Sequence, residues 1–359
     1  MKQEQQRIVS IQAVRAIAFI LVFLSHVELI PTGGIGVSLF LVISGFCMTY
    51  SYLDRPEKLP EPGLASHFRF VKGKIRKLYP LHLTALLLVA AVIFAGLFIH
   101  KAPGKEIAEQ SAYFAANGLL LQSWIPWKEG YFSFNAVSWY LSTLAFSYFV
   151  FPWVFRTIQS RDRKRIGMLA GVTLALMIAV SVILGIGKQN WGWTNALLKW
   201  VTYICPVYRA GDFIIGLTAG YYFVTVKNTW GKGAGSIAEA AVVAVMTGQV
   251  VIRSFGVSNT SNWMLSLFWL PTSVIAVYLF AVNKGILSKT LAGSRALVWI
   301  GNVSAEAFLI HQICIKAVEY VTKNKWIVAA AAFVLTMICT VIWRALFRKL
   351  QQRPVKNSV

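Results

Sequence analysis

Apolar residues run in long stretches along this chain, separated by shorter segments that hold most of the charge. Ten of these stretches approach the ~20 residues that an α-helix needs to cross a bilayer. The pattern predicts an all-α, polytopic membrane bundle of about ten helices that forms a single domain over residues 1–359. The predicted spans are residues 8–27, 34–53, 78–99, 138–155, 166–187, 204–225, 237–254, 263–282, 299–320 and 327–347.

A shorter apolar stretch, residues 113–124, adjoins Pro126 and could be an eleventh span or an interfacial or re-entrant segment. The distribution of basic residues helps to choose, because cytoplasmic segments of membrane proteins are enriched in Lys and Arg. With ten spans and a cytoplasmic N-terminus, the inner segments contain most of the 35 basic residues. An eleventh span would place the basic run 161–165 outside. We therefore predict ten spans with both termini in the cytoplasm.

Composition agrees with a membrane protein, since 57% of residues are hydrophobic and the mean hydropathy is +0.61. The formal charge of +22 could indicate nucleic acid, anionic lipid or the inner face of a membrane. Its concentration in the inner segments favours the membrane, so no nucleic-acid partner is expected. The four cysteines lie in apolar segments without metal-type spacing, so no metal ligand set is predicted. The first span lacks a small-residue cleavage site and is predicted to be a retained helix, with no additional soluble domain in the chain.

The first span contains two polar residues that are unusual in a membrane helix, Arg15 and His26. An arginine near the middle of an apolar helix costs at least ~2.5 kcal/mol, so it is expected to face a protein interior or a water-filled cavity. Eleven helical steps bring His26 to within roughly 20° of Arg15, about 16 Å further along the axis. Arg15 could ligate an anion or a carbonyl oxygen, or form a structural ion pair with Asp212 or Glu306. His26 could act as a general base towards a hydroxyl, or lie hydrogen-bonded at the interface.

Later spans contain further charged or titratable residues that could line a substrate channel. Arg209 and Asp212 stand at i and i+3, so they can pair on one helix face. A purely structural ion pair is as good an interpretation as a role in a substrate channel. Glu306 and His311 are five residues apart, or roughly 140° around a helix, and cannot both face one partner squarely. His311 is the better candidate because it lies deeper in its span. Glu239, at the start of a span, is expected to be interfacial.

The inner segment 66–77 carries the basic residues Lys74, Arg76 and Lys77 directly before the third span. They could be an ordinary cluster that sets membrane orientation, or a mouth that binds the phosphates of a donor arriving from the cytoplasm. Neither a P-loop nor a dinucleotide-binding fingerprint is present. His82, one turn into the span, is interpreted as interfacial rather than catalytic.

Several stretches, in this order along the chain, resemble motifs of the membrane-bound acyltransferase 3 family. The family hallmark is an arginine and a histidine separated by ten residues in the first span. The matching residues and segments are Arg15 with His26, Gly36–Phe46, Lys74–Pro80, Pro206–Gly216 and Gly301–His311.

Three positions depart from the family pattern. Segment 139–144 lacks the carboxylate that often opens a middle span, and Ser38 stands where many members have aspartate. Lys74 and Lys77 replace the paired arginines of the basic loop. Lysine keeps the positive charge but cannot form the two parallel hydrogen bonds of a guanidinium group. These departures argue against a mechanism that needs a carboxylate at those positions. They fit a subfamily with a different acceptor.

The resemblance implies a bacterial inner-membrane or plasma-membrane protein that moves an acyl group, commonly acetyl, from cytoplasmic acyl-CoA to a hydroxyl of a carbohydrate or cell-envelope acceptor. Acyl-CoA would be a co-substrate, and no permanently bound cofactor is expected. In this interpretation Lys74, Arg76 and Lys77 hold the CoA phosphates, Arg15 lies along the thioester path, and His26 deprotonates the acceptor.

Two rival functions use the same residues. A transporter or flippase of an anionic or glycolipid substrate would need charges along a translocation path. A partner protein could instead pass acyl groups to a separate transferase.

Overall fold

The computed structural model describes residues 8–255 and 264–352, and these residues form α-helices joined by short turns, with no β-strand among them. The helices in chain order are α1 (Val9–His26), α2 (Gly33–Tyr52), α3 (Leu64–Ile75), α4 (Tyr79–Ile99), α5 (Gly104–Gly118), α6 (Lys128–Tyr131), α7 (Trp139–Gln159), α8 (Arg163–Asn190), α9 (Asn195–Lys199), α10 (Pro206–Thr225), α11 (Lys232–Ser254), α12 (Leu265–Val282), α13 (Ile286–Gly293), α14 (Arg295–Val321) and α15 (Lys325–Gln352).

The long helices match the predicted spans one to one, which confirms the all-α membrane bundle. Within the described ranges, 9 helices are long and apolar enough to cross a membrane. The remaining predicted span, residues 204–225, corresponds to α10, whose 20 residues include Arg209 and Asp212 and are largely buried. The orientation of the termini stays a prediction. The predicted first residue of the eighth span, residue 263, and the basic residues before residue 8 and after residue 352 lie outside the described residues.

The stretch 113–124 does not form an eleventh membrane span. The 15-residue α5 ends at Gly118, and Gln122–Trp124 form a separate 3-10 turn. A helix of 15 residues is shorter than the ~20 that a span requires. The choice of ten spans over eleven therefore agrees with the helices.

The end of α5 is fixed against the start of α4. The Tyr79 hydroxyl donates to the Gly118 carbonyl at 2.7 Å, and His82 Nε2 lies 2.9 Å from the Asn117 carbonyl oxygen. The His82 imidazole is fully buried within the protein, and its position relative to the membrane interface stays a prediction. The sequence does not reveal this burial, since the covering residues are 35 positions away in the chain.

Glu239 is also buried, contrary to the interfacial position expected for it. Its two carboxylate oxygens accept hydrogen bonds from the backbone N–H groups of Gly285 and Ser288, both at 3.0 Å. The carboxylate therefore caps α13, where the helix dipole favours negative charge. This contact fixes α13 against α11.

The centre of the bundle is α2, which packs against α1, α10 and α12. Glycines permit the closest of these approaches. A Cβ atom on Gly36 would overlap the Ala18 carbonyl oxygen at 2.6 Å, and one on Gly45 would overlap the Phe213 carbonyl oxygen. On α10, a Cβ at Gly216 would strike the Val42 backbone. The second span therefore packs closely on its neighbours, and α2 and α10 meet nearly backbone to backbone.

We predict that Gly45→Val destabilises the protein, because the new side chain must separate α2 from α10. Overpacking of this kind costs about 1–3 kcal/mol or more. Thermal unfolding in detergent measures the effect as a lowered midpoint. The control is Gly96→Ala, since a Cβ there meets nothing within 4 Å. Equal midpoints for Gly45→Val and Gly96→Ala would contradict the close crossing.

Candidate functional site

Arg15 lines a cavity of about 210 Å³ inside the bundle. The cavity lies between α1, α2, α7 and α14, at the start of α4. Most of its wall is apolar, with a few polar side chains that converge from different helices, which is typical of a small-molecule site. The residues that concern the chemistry are Arg15, Ser44, Cys47, Tyr140, Tyr148 and Phe308.

Arg15 has no protein counter-ion in the described part of the chain. Its Nε is buried and has no hydrogen-bond partner there. The two carboxylates considered as partners are engaged elsewhere: Asp212 contacts Arg209 at 3.0 Å, and Glu306 contacts Arg344 at 3.5 Å. The guanidinium therefore presents its charge to the cavity, where it could hold an anion or polarise a carbonyl oxygen.

His26 and His311 form a contact pair near the C-terminal end of α1. Their ring centroids are 4.9 Å apart and the rings are nearly perpendicular. His26 Nδ1 lies 2.8 Å from the Val22 carbonyl oxygen, and His311 Nδ1 lies 2.7 Å from the Phe308 carbonyl oxygen. Because a carbonyl oxygen can only accept, Nδ1 carries the proton in both rings. Each Nε2 is then the basic nitrogen, and that of His311 is buried without a partner among the described residues.

Phe308 connects the cavity with the histidine pair. Its ring lines the Arg15 cavity and lies 5.6 Å from the His311 ring. The rings of Tyr140 and Phe40 pack against it at 5.1 and 5.7 Å. Arg15 and His26 thus both face α14, as the helical geometry predicts. An aromatic cluster of Phe40, Tyr140 and Phe308 separates them.

The basic segment lies beside the cavity. Leu78, the residue after Lys77, lines the cavity, and so does Ser51 at the end of α2. The Lys74 ammonium sits 4.5 Å from the ring centroid of Tyr52, the next residue after Ser51. Burial, with added repulsion from Lys58, lowers the pKa of Lys74 to about 8. Arg76 and Lys77 are exposed.

The Arg209–Asp212 pair does not line the Arg15 cavity. Both side chains are fully buried, and Asp212 also accepts hydrogen bonds from Ser38 at 3.0 Å and Ser266 at 2.6 Å. The cluster joins α2, α10 and α12, which supports the structural interpretation of this pair. The hydroxyl of Ser38 supplies a donor where a carboxylate would repel Asp212.

The cavity residues on α7 were not predicted from the sequence. Tyr140, Leu144 and Tyr148 follow one another at intervals of four, so they share a helix face, and all three line the cavity. Both tyrosines lie against Ser44. The spacing was visible in the sequence, but aromatic residues at helical intervals are common in membrane helices and do not by themselves indicate a site.

The structure defines an integral membrane bundle with an internal cavity, lined in part by the cationic side chain of Arg15, and a neighbouring histidine pair. A model of the Acyl_transf_3 family, described as an acyltransferase domain, matches residues 8–344. The chain belongs to this acyltransferase family, as its motifs indicate.

One relative is the acyltransferase MdmB of Streptomyces mycarofaciens, which is 26% identical over 289 residues, covering 79% of this chain and 68% of the relative. No solved structure matches the chain. Among the described residues, no group of three or more His, Cys, Asp and Glu side chains could hold a metal ion.

We predict that Arg209→Met strongly destabilises the protein, because it leaves the Asp212 carboxylate buried without its counter-ion. Breaking a buried ion pair costs about 3–5 kcal/mol. The double variant Arg209→Met/Asp212→Asn removes both charges and should recover most of that loss in thermal unfolding. If the double variant is as unstable as Arg209→Met, the cost does not come from the unpaired carboxylate.

Proposed function

We propose that the protein is an integral membrane O-acyltransferase. It moves an acyl group, in the first instance acetyl, from acyl-CoA at the cytoplasmic face to a hydroxyl of a carbohydrate or other cell-envelope acceptor. The observation that carries the proposal is the pairing, on one helix, of Arg15 facing an internal cavity without a counter-ion and His26 with a basic Nε2. Family membership supports the acyl transfer itself.

The transfer requires a base and an electrophile. The acceptor hydroxyl gives its proton to His26 Nε2 while its oxygen attacks the thioester carbonyl carbon, and the carbonyl oxygen gains negative charge. Arg15 lies about 16 Å from His26 along α1, so it holds the donor on the cavity side and does not contact the reacting carbonyl. The C–S bond then breaks, and the CoA sulfur takes up the proton from His26. The products are an ester of the acceptor and free CoA.

The hydrogen bond from His26 Nδ1 to Val22 suits this role. It holds the imidazole in one orientation and one tautomer, so that Nε2 is ready to accept a proton. His311, held in the same way by Phe308, packs edge-on against His26 and restricts its rotation. We assign His311 as a positioning residue. Glu306, paired with Arg344, and the Arg209–Asp212 pair lie outside this assignment.

The donor enters from the side that carries α3. Lys74, Arg76 and Lys77 provide cationic groups for the phosphates of CoA next to Leu78 and the cavity. The pantetheine arm then extends towards Arg15 along the apolar wall. The partners of the protein in this scheme are membrane lipid, acyl-CoA and a glycan acceptor, in a bacterial inner or plasma membrane.

We predict that His26→Ala abolishes transfer of labelled acetyl from acetyl-CoA to envelope acceptors, because no other group takes the hydroxyl proton. General-base removal costs about 10²–10⁴-fold in rate. The assay follows both the labelled ester and free CoA in membranes from expressing cells.

The control is His100→Ala, an exposed histidine at the end of α4, which should transfer normally. Full transfer by folded His26→Ala would overturn the assignment of the base. Movement of a substrate across the membrane by the wild-type protein, with neither ester nor free CoA formed, would favour a transporter instead.

We predict that the KM for acetyl-CoA rises several-fold between pH 7 and pH 9. Because burial lowers the pKa of Lys74 to about 8, its positive charge is present below that pH and is lost above it. Lys74→Arg keeps its charge throughout this range and should remove most of the pH dependence. The same rise in KM for Lys74→Arg would show that Lys74 does not hold the donor.

A further inference from the structure

A second polar cavity, of about 200 Å³, lies at the end of the bundle where α1 terminates. It is bordered by the start of α2, the π-helical turn Trp200–Ile204, the end of α11 and the start of α12. It shares no lining residue with the Arg15 cavity. The residues that line this cavity include Ser25, Gly33, Lys199, Tyr203, Arg253 and Trp269.

Among the described residues that line this cavity, the charged side chains are those of Lys199 and Arg253, and both are basic. Lys199 is half-buried and forms no ion pair with any described residue, while its ammonium lies 5.6 Å from the Phe132 ring centroid. Burial lowers the pKa of Lys199, and repulsion from Lys128 and Arg253 lowers it further. A bound anion would stabilise the Lys199 ammonium, which forms no ion pair within the described part of the chain.

Backbone donors add to this positive field. The α2 helix begins at Gly33 and Gly34, which both line the cavity. The residue before them, Thr32, does not cap the helix, because its hydroxyl donates to the Leu21 carbonyl at 2.6 Å instead. The first N–H groups of α2 therefore have no side-chain acceptor. The positive end of a helix with unpaired N–H groups favours an oxyanion.

The aromatic side chains suit a ring-shaped ligand. Tyr203 and Trp269 line the cavity, and a Cβ atom on Gly34 would overlap the Trp269 indole, so glycine lets the indole pack against the start of α2. Trp269 is buried and forms the wall, whereas Tyr203 is only partly buried and can contact a C–H face of a sugar ring. Ser25, also in the wall, is the chain neighbour of His26.

We propose that this cavity binds the acceptor, and that the acceptor is an anionic carbohydrate that carries a carboxylate or a phosphate group. Lys199, Arg253 and the α2 N-terminus hold the oxyanion, and Tyr203 contacts the ring. The acceptor hydroxyl is then delivered to the end of α1, where His26 lies. The inference rests on the proposed acyltransferase function and adds the chemical class of the acceptor.

The test compares three probes that share one ring: glucose, glucuronate and glucose 6-phosphate. Binding to the purified full-length protein in phosphatidylcholine nanodiscs is followed by saturation-transfer NMR at low ionic strength. The variants are Lys199→Gln and Arg253→Gln, with Arg253→Lys as the conservative change. Lys105→Gln is the matched control, since Lys105 is exposed and does not line the cavity.

At least one anionic probe should bind about tenfold more tightly than glucose. Lys199→Gln should remove most of this preference, Lys105→Gln should keep it within about twofold, and Arg253→Lys should retain more of it than Arg253→Gln. A preference for glucuronate identifies a carboxylate site, and one for glucose 6-phosphate a phosphate site.

Equal binding of all three probes by the wild-type protein would overturn the inference, as would an unchanged preference in folded Lys199→Gln. Binding does not depend on transfer, so the two proposals fail separately. Lost selectivity with intact acetyl transfer overturns only the anionic acceptor. Intact selectivity without any labelled ester overturns the acyltransferase proposal.

Discussion

A charged side chain inside a membrane must meet a protein partner, water or a substrate, and this constraint orders the whole bundle. At Arg209 the chain supplies the partner: Asp212, backed by Ser38 and Ser266, neutralises the guanidinium and ties α2, α10 and α12 together. At Arg15 no partner is supplied within the described chain. Arg209 therefore has a structural function, whereas Arg15 faces a cavity. That difference separates a helix clamp from a candidate site.

The two cavities and the histidine pair fall along one direction through the bundle. The basic segment adjoins the Arg15 cavity, the aromatic cluster around Phe308 follows, and the histidine pair lies beyond it at the end of α1. The second cavity begins at the same end of α1. In the proposed reaction, a donor and an acceptor approach from opposite ends and meet near His26. The aromatic cluster then excludes water from the thioester, which limits its hydrolysis.

Much of this could be predicted from the sequence, because membrane spans and helical periodicity are local properties. Nine of the ten long helices follow from hydropathy, and the shared direction of Arg15 and His26 follows from the helical repeat. Contacts between distant segments could not be predicted in the same way. The cover that Asn117 gives to His82, the capping of α13 by Glu239 and the pairing of Glu306 with Arg344 each depend on how separate helices meet. The second cavity has the same origin, since its basic residues come from α9 and α11.

The central claim is that acyl groups pass through the bundle from the face that carries α3 to the face that carries His26. Sealed proteoliposomes in which the protein has one known orientation test it most directly. Labelled acetyl-CoA is supplied either outside or inside, with acceptor glycan on both sides. Ester should form only when acetyl-CoA is on the α3 side, with free CoA released on that side and label only on the acceptor across the membrane. Equal ester formation from acetyl-CoA on either side, or ester confined to an acceptor on the donor side, would contradict it.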